Sequence, residues 1–243
     1  MYGITETTVI FEKAVSLCEE LRREFPGPII IGGVHISAIP SSLPAAADVG
    51  VIGEGEETFS RLLESIETRG REWKDGLAGI RGICFHGPRG IAVTEPREPI
   101  ADLDTIPFRD RAILDMGWTH ITDYPGQRSL ISTRGCPYDC RFCFSTQFWK
   151  KIRHHSAAYV VEEVSKVREE HGATRLNFLD DLFISDRSRL AEIAAGIRGS
   201  GLADEVAFTC TIRTDSRCSR STGSESWARS CWDSRARPSA IWT

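Results

Sequence analysis

Residues 129–143 of this chain read SLISTRGCPYDCRFC. Residues 129–133 have the look of a short strand, and Cys136, Cys140 and Cys143 follow at its carboxyl end, separated by three residues and then two. Beyond them, residues 159–170 place Tyr159, Val160, Val164 and Val167 on one side, which predicts an amphipathic helix. Ser156 is positioned to cap that helix and Gly172 to stop it. Strand, loop and helix form the repeating unit of a β/α barrel, whose active sites sit on the loops after the strands.

Three thiols in one loop admit three explanations. Unliganded cysteines so placed would oxidise readily. A structural zinc site needs four closed ligands, and His154 or His155 would have to complete a Cys3His set, making the chain a non-catalytic zinc-binding module. An iron–sulfur cluster is also held by thiolates, and three cysteines on a four-iron cluster leave one iron open to an outside ligand.

The spacing C-x-x-x-C-x-x-C, with Phe142 just before the last cysteine, resembles the signature of the radical S-adenosylmethionine enzymes. The resemblance implies a [4Fe-4S] cluster on Cys136, Cys140 and Cys143, with S-adenosylmethionine on the open iron. In that family an electron from the reduced cluster breaks a C–S bond of the sulfonium and yields a 5′-deoxyadenosyl radical. The electron would come from a donor such as flavodoxin or ferredoxin. Phe142 would lie beside the adenine.

The following residues continue the barrel pattern. Residues 175–179, RLNFL, predict a second strand that ends in Asp180 and Asp181. By resemblance one of these accepts a hydrogen bond from the amino group of S-adenosylmethionine; a helix cap or turn pair is the plain alternative. Residues 186–198 predict a helix with Leu190, Ile193, Ala194 and Ile197 inward. Residues 206–212, VAFTCTI, predict a third strand with Cys210 inside the barrel, and Arg213 at its end would face the carboxylate or ribose of the same ligand.

Upstream, residues 9–25 have helical periodicity, with Phe11, Ala14, Val15, Cys18 and Leu21 recurring at three and four, and Pro26–Gly27 ends them. Ile29 to Ile31 form an apolar run as expected of a strand buried on both faces, and Gly32 and Gly33 follow it. A strand over 49–52 and a helix over 58–66 complete an expected doubly wound α/β layer. Glycines after such a strand serve a tight turn or let the backbone approach a ligand. GITETT, IIIGGVHIS and VGVIGEGEETF together, over residues 2–67, resemble the later half of the cobalamin-binding domain that precedes many radical S-adenosylmethionine enzymes. That resemblance puts Gly32 and Gly33 beside the cofactor's nucleotide tail, and places the family's first strands and its cobalt-ligand loop before Met1. His35 lies on the wrong loop to be that ligand.

The fold class expected is therefore α/β: a partial Rossmann-like cobalamin-binding domain over residues 1–70, a linker with a small β-hairpin over 71–128, the first half of a radical S-adenosylmethionine β/α barrel over 129–215, and an irregular tail over 216–243. Relatives of this kind methylate unactivated carbon or phosphorus centres of small-molecule substrates, or close and rearrange rings. Composition agrees with an ordinary globular protein, at 41% hydrophobic and 26% charged residues. A net charge of −4 gives no basic field for nucleic acid. The sequence lacks an apolar run of membrane-spanning length and a signal-like start, so a cytoplasmic location is expected. Eight cysteines in such a chain are thiols or metal ligands rather than disulfides, with Cys18 and Cys84 as buried apolar residues. His86, His120 and His171 are ordinary surface or core residues.

The tail differs in character. Residues 216–243 hold eight serines, five arginines and three of the six tryptophans, with no helical or strand period. A frameshift near Ser216 accounts for it. The nucleotide sequence is expected to show a second frame, open beyond that point, encoding the family's next helix and strand; a frame open only as translated here would refute the frameshift.

Overall fold

Ile29, Ile30 and Ile31 are each 2% exposed or less, and they belong to two different cores. Alternate residues of a strand face opposite sides, so Ile29 and Ile31 pack with Ala14, Cys18 and Ile36, whereas Ile30 packs with Leu62, Trp73 and Leu77. Each such burial is worth roughly 1.5–3 kcal/mol relative to an exposed side chain. This computed structural model describes residues 1–111 and 126–212. Among them the chain forms two compact units, the first Met1–Ile100 with Gln147–Lys150, the second the remainder.

The first unit runs β1 (Tyr2–Glu6), α1 (Phe11–Glu24), β2 (Ile29–Gly33), α2 (Val34–Ala38), β3 (Val49–Val51), α3 (Glu56–Arg69), β4 (Ile83–Gly87) and β5 (Gly90–Val93). Its sheet has the order β1-β2-β3-β4-β5. The first three strands are parallel, and β4 and β5 add antiparallel. Both faces are covered, as the apolar run requires. Yet the described strands follow one another in sequence order, so the order reversal of a doubly wound sheet is not among them. The expected hairpin also has a different place: β4 pairs directly with β3, Cys84 opposite Gly50, and extends this sheet.

Asp48 ties the parallel strands together at their amino ends. Its Oδ2 accepts from the Ile29 backbone N–H at 2.8 Å and from Arg22, while its own N–H donates to the Ile29 carbonyl at 2.8 Å. Lys74 binds its Oδ1. Burial pushes this carboxyl up, but the bonds from Lys74, Ile29 and Arg22 outweigh that and hold it below the ordinary carboxylate range.

The second unit contains β6 (Gln127–Leu130), β7 (Thr133–Arg134), α4 (Ser145–Trp149, partly in the first unit), β8 (Arg153–His154), α5 (Ala157–His171), β9 (Arg175–Phe178), α6 (Arg187–Gly199), α7 (Leu202–Glu205) and β10 (Ala207–Cys210). Strands β6, β9 and β10 form a parallel sheet with β9 central. Leu130, Leu176, Phe178 and Phe208 meet Val160, Val164 and Val167 of α5 and Ile193 and Ile197 of α6 in one core. The signals for α5 act as expected: Ser156 accepts from the Tyr159 N–H, and Gly172 ends the helix with φ +59°; Asp186, expected as the first residue of α6, caps it instead by accepting from the N–H groups of Ser188 and Arg189.

Two details differ from expectation. The single strand over 129–133 is two short ones: the ladder with β9 ends at Leu130, and Thr133–Arg134 pairs with Arg153–His154 instead. Cys210 does not face a barrel interior. It lies opposite Phe178, two residues from Phe208, and packs against the helix-covered core. The other face carries the polar row Ser129, Asn177 and Thr209, in which the Thr209 hydroxyl donates to Asn177 Oδ1 at 2.9 Å. Among the described residues no helix is long and apolar enough to cross a membrane. His120, Arg213 and the 216–243 tail lie outside the described residues.

Asp48→Ala should destabilise the first unit by about 2–4 kcal/mol, since it leaves the Ile29 N–H and the Arg22 Nη2 group without their shared acceptor. Because the folded pKa of Asp48 is depressed, its contribution is complete above the unfolded value near ~4 and disappears as pH falls through the folded value. Denaturant melts from pH 7 to pH 2 check this; a variant whose deficit persists unchanged at pH 2 contradicts it.

Candidate metal and cofactor site

The cysteines lie on the chain between β7 and β8, whose pairing of Thr133 with His154 and Arg134 with Arg153 joins the two ends of the excursion. Pro137 separates Cys136 from the turn at 140–143, where the Cys143 N–H donates to the Cys140 carbonyl at 2.9 Å. Cys136 and Cys140 are half-buried, Cys143 is exposed, and all three are free thiols. Phe142 is 93% exposed, an unusual state for a large apolar ring and one that a planar ligand would relieve.

The two acidic residues after β9 have different surroundings. Asp180 is 2% exposed, and its carboxylate accepts from the Ser132 N–H (2.6 Å), the Ser132 hydroxyl (2.6 Å) and the Thr133 N–H (3.0 Å). Burial pushes its pKa up, against these bonds and the nearby Arg189. Asp181 is exposed and accepts from the Ser145 hydroxyl, two residues beyond Cys143. Asp181 and Phe142 therefore remain accessible at the cysteine loop, whereas Asp180 faces inward.

The histidines of the zinc alternative are committed elsewhere. His154 Nε2 lies 2.9 Å from the Ser185 hydroxyl. His155 is 5% exposed, stacks on Tyr159 with centroids 4.1 Å apart, and its Nδ1 lies 3.3 Å from Asp104. Burial pushes both imidazoles down, so they are neutral near pH 7. Among the described residues no three His, Cys, Asp or Glu side chains stand close enough together to hold a metal ion. The donor chemistry of the loop nevertheless fits an iron–sulfur cluster, since it offers three free thiols and none of the described cysteines is in a disulfide. Thiolate sites commonly close only as the metal arrives.

In the first unit, Gly32 and Gly33 end β2, and Gly33 has φ +129°. A Cβ there would meet the Glu6 carbonyl oxygen at 2.0 Å, so contact with β1 already requires this glycine. A Cβ on Gly32 would lie 3.4 Å from Val51. Glu6 was not legible as a site residue. It is 3% exposed, its Oε1 accepts from the Ile36 N–H at 3.1 Å, and its buried Oε2 has no hydrogen-bond partner. That orphaned acceptor, at the carboxyl end of the parallel strands, suits an N–H or O–H donor of a ligand. His35 stacks on Phe11 at 3.9 Å between centroids, and Nδ1 lies 3.3 Å from the Thr8 hydroxyl.

No family model matches the chain. An uncharacterised methyltransferase of Pyrococcus horikoshii is 31% identical over 218 residues, covering 88% of this chain and 46% of the relative. The radical S-adenosylmethionine methyltransferase TsrM of Kitasatospora setae, solved with tryptophan substrate and a S-adenosylmethionine analogue, superposes with a TM-score of 0.65 at 20% identity, over 85% of this chain and 42% of that one. The cobalamin-dependent S-adenosylmethionine radical enzyme OxsB, solved with aqua-cobalamin and S-adenosylmethionine, gives 0.67 at 17% identity, over 94% and 32%. At these identities the two structures speak for the fold. The chain spans less than half the length of each of these proteins.

The thiols should differ sharply in reactivity. In metal-free native chain, iodoacetamide should modify Cys143 first and then Cys136 and Cys140. Cys18 and Cys84, both fully buried and the latter pushed up to about 11, should react on the order of a hundredfold more slowly. Peptide mapping of a labelling time course checks this, and equal rates at Cys84 and Cys143 would contradict the burial described.

Proposed function

We propose that this chain belongs with the cobalamin-dependent radical S-adenosylmethionine enzymes and that its cysteine loop holds a [4Fe-4S] cluster for reductive cleavage of S-adenosylmethionine. The carrying observation is the set of three free thiols on one excursion that leaves the carboxyl end of a parallel strand. When bound and reduced, such a cluster supplies one electron to the sulfonium, whose C5′–S bond breaks to give methionine and a 5′-deoxyadenosyl radical.

The chain's own residues would bind and orient. Cys136, Cys140 and Cys143 ligate iron. Phe142 covers the adenine, exchanging an exposed ring for a stacked one. Asp181 accepts from the ligand's amino group; its present bond to Ser145 lies at the surface and is readily exchanged. Arg213 remains a proposed contact for the carboxylate or ribose. The polar row Ser129, Asn177 and Thr209 gives the second sheet a hydrogen-bonding face of the kind a barrel turns toward its ligands.

The first unit would take cobalamin at the Gly32–Gly33 end of its sheet, with Glu6 Oε2 accepting a hydrogen bond from it. The transformation would be methyl transfer to a small molecule, or a related radical ring closure or rearrangement, fed by a low-potential donor such as ferredoxin or flavodoxin. A reducing compartment such as the cytoplasm suits these thiols.

Purification without oxygen, followed by iron, acid-labile sulfide and zinc analysis, tests the proposal. About four iron and four sulfide per chain, abolished in Cys140→Ala but retained in a His154→Ala/His155→Ala double variant, is the expected result for a three-thiolate cluster. Zinc without sulfide, released by the histidine changes, would refute it.

A further inference from the structure

Asp180 is the residue that a signature-based reading would hand to the ligand, yet its oxygens are turned into the protein. The contacts around Ser132 explain what it does there. The Ser132 N–H and hydroxyl both donate to Asp180, as does the Thr133 N–H. The Ser132 carbonyl accepts from Arg189 Nη2 at 2.8 Å and from the His155 N–H at 3.0 Å. Arg189 Nε donates to the His155 carbonyl at 2.7 Å, and its Nη1 lies 3.5 Å from the Thr133 hydroxyl. Arg189 is 8% exposed and Asp180 2%.

We infer that Asp180 and Arg189 form a buried clamp that grips both edges of the Ser132 peptide and thereby fixes where the cysteine loop leaves the sheet. The carboxylate takes the N–H edge and the guanidinium the C=O edge. Arg189 also holds His155, so the outgoing and returning strands of the excursion are tied to one side chain. Cys136 follows Ser132 by only four residues, and its reach is set at that point. Asp180 is accordingly a positioning residue, and the adjacent exposed Asp181 is the one left for a ligand. Opposite charges buried together with their hydrogen bonds satisfied make an arrangement that resists removal of either member. A guanidinium fork reaches two carbonyls in fixed geometry, which an ammonium does not reproduce.

The importance of the clamp for a cluster rests on the function proposed above; the clamp itself is tested without it. Trypsin acts on the full, metal-free chain, and cleavage after Arg134, where the excursion leaves β7, is compared with cleavage after Arg168 and Arg198 on helices. In Asp180→Asn, Arg189→Gln and Arg189→Lys the Arg134 rate relative to those reference sites should rise about tenfold, because proteolysis follows the population of the locally open form. Glu162→Gln, which removes an exposed carboxylate of α5 away from the compared cleavage sites, should leave the ratio as in wild type. A uniform increase at all sites, or no increase at Arg134, would overturn the clamp. Should the charged-pair variants fail to fold, Ser132→Ala removes only the hydroxyl bond to Asp180, and it must raise the same ratio by about threefold.

The second readout separates the two ideas. Reconstituted wild type and variants are challenged with an iron chelator, and cluster loss is followed by absorbance. Faster loss in the clamp variants, with all three cysteines intact, supports positioning. If wild type assembles no iron and sulfide, the proposed function fails while the trypsin ratio still judges the clamp. If wild type holds a cluster and the variants match it in both readouts, the clamp is wrong and the function stands.

Discussion

A backbone N–H that emerges from a strand or opens a helix inside a protein must find an acceptor, and this chain repeatedly supplies a carboxylate from far along the sequence. Asp48 meets Ile29, Glu6 meets Ile36, Glu54 meets Ile100, Asp104 meets Ser156, and Asp180 meets Ser132 and Thr133. Charge-assisted bonds of this type are stronger than neutral ones. They also join segments that the strand ladders leave apart. In the first unit they fasten the start of β2, the first turn of α2 and the segment at Ile100; in the second they fasten the start of α5 and the region from which the cysteine loop departs. The acidic excess of the sequence is thus partly internal, and the net charge of −4 says little about what the surface attracts.

Much of this was legible. The isoleucine run, the cap at Ser156 and the stop at Gly172 encode local physics, and the corresponding elements lie where that physics puts them. What was not legible depends on which partner stands opposite. Two consecutive aspartates after a strand read equally as ligand contacts or as buried acceptors; only the position of the N–H groups of 132 and 133, which Asp180 accepts from, separates Asp180 from Asp181. Gly33 looked like a cofactor glycine because it ends a strand, yet the approach of Glu6 alone already demands it. Cys210 was assigned to the wrong face because the face of a strand is set by register, and Phe208 with Phe178 fixes it toward the helices.

Arg189 offered a signal that was passed over. It stands four residues before Ile193 and eight before Ile197, on the stripe that α6 buries, so an arginine there implies an internal partner. Glu163 carries the same mark on α5, and it pairs with buried Arg111, which also donates to the Ser129 carbonyl at 3.1 Å. In both helices a charged residue on the apolar stripe points to the places where β6 and the segment after it are held. The pattern is visible in sequence as a polar interruption of an apolar period, although its partner is not.

The three loop cysteines belong to none of the apolar clusters that hold either unit together. Cooperative unfolding is governed by those clusters and by the buried carboxylates, so the loop contributes little to the melting transition. Exposure to air would therefore erode the thiols first and leave circular dichroism, solubility and chromatographic behaviour of the remaining protein essentially intact. A well-folded preparation and a competent one are different samples, and the number of titratable thiols is the property that tells them apart.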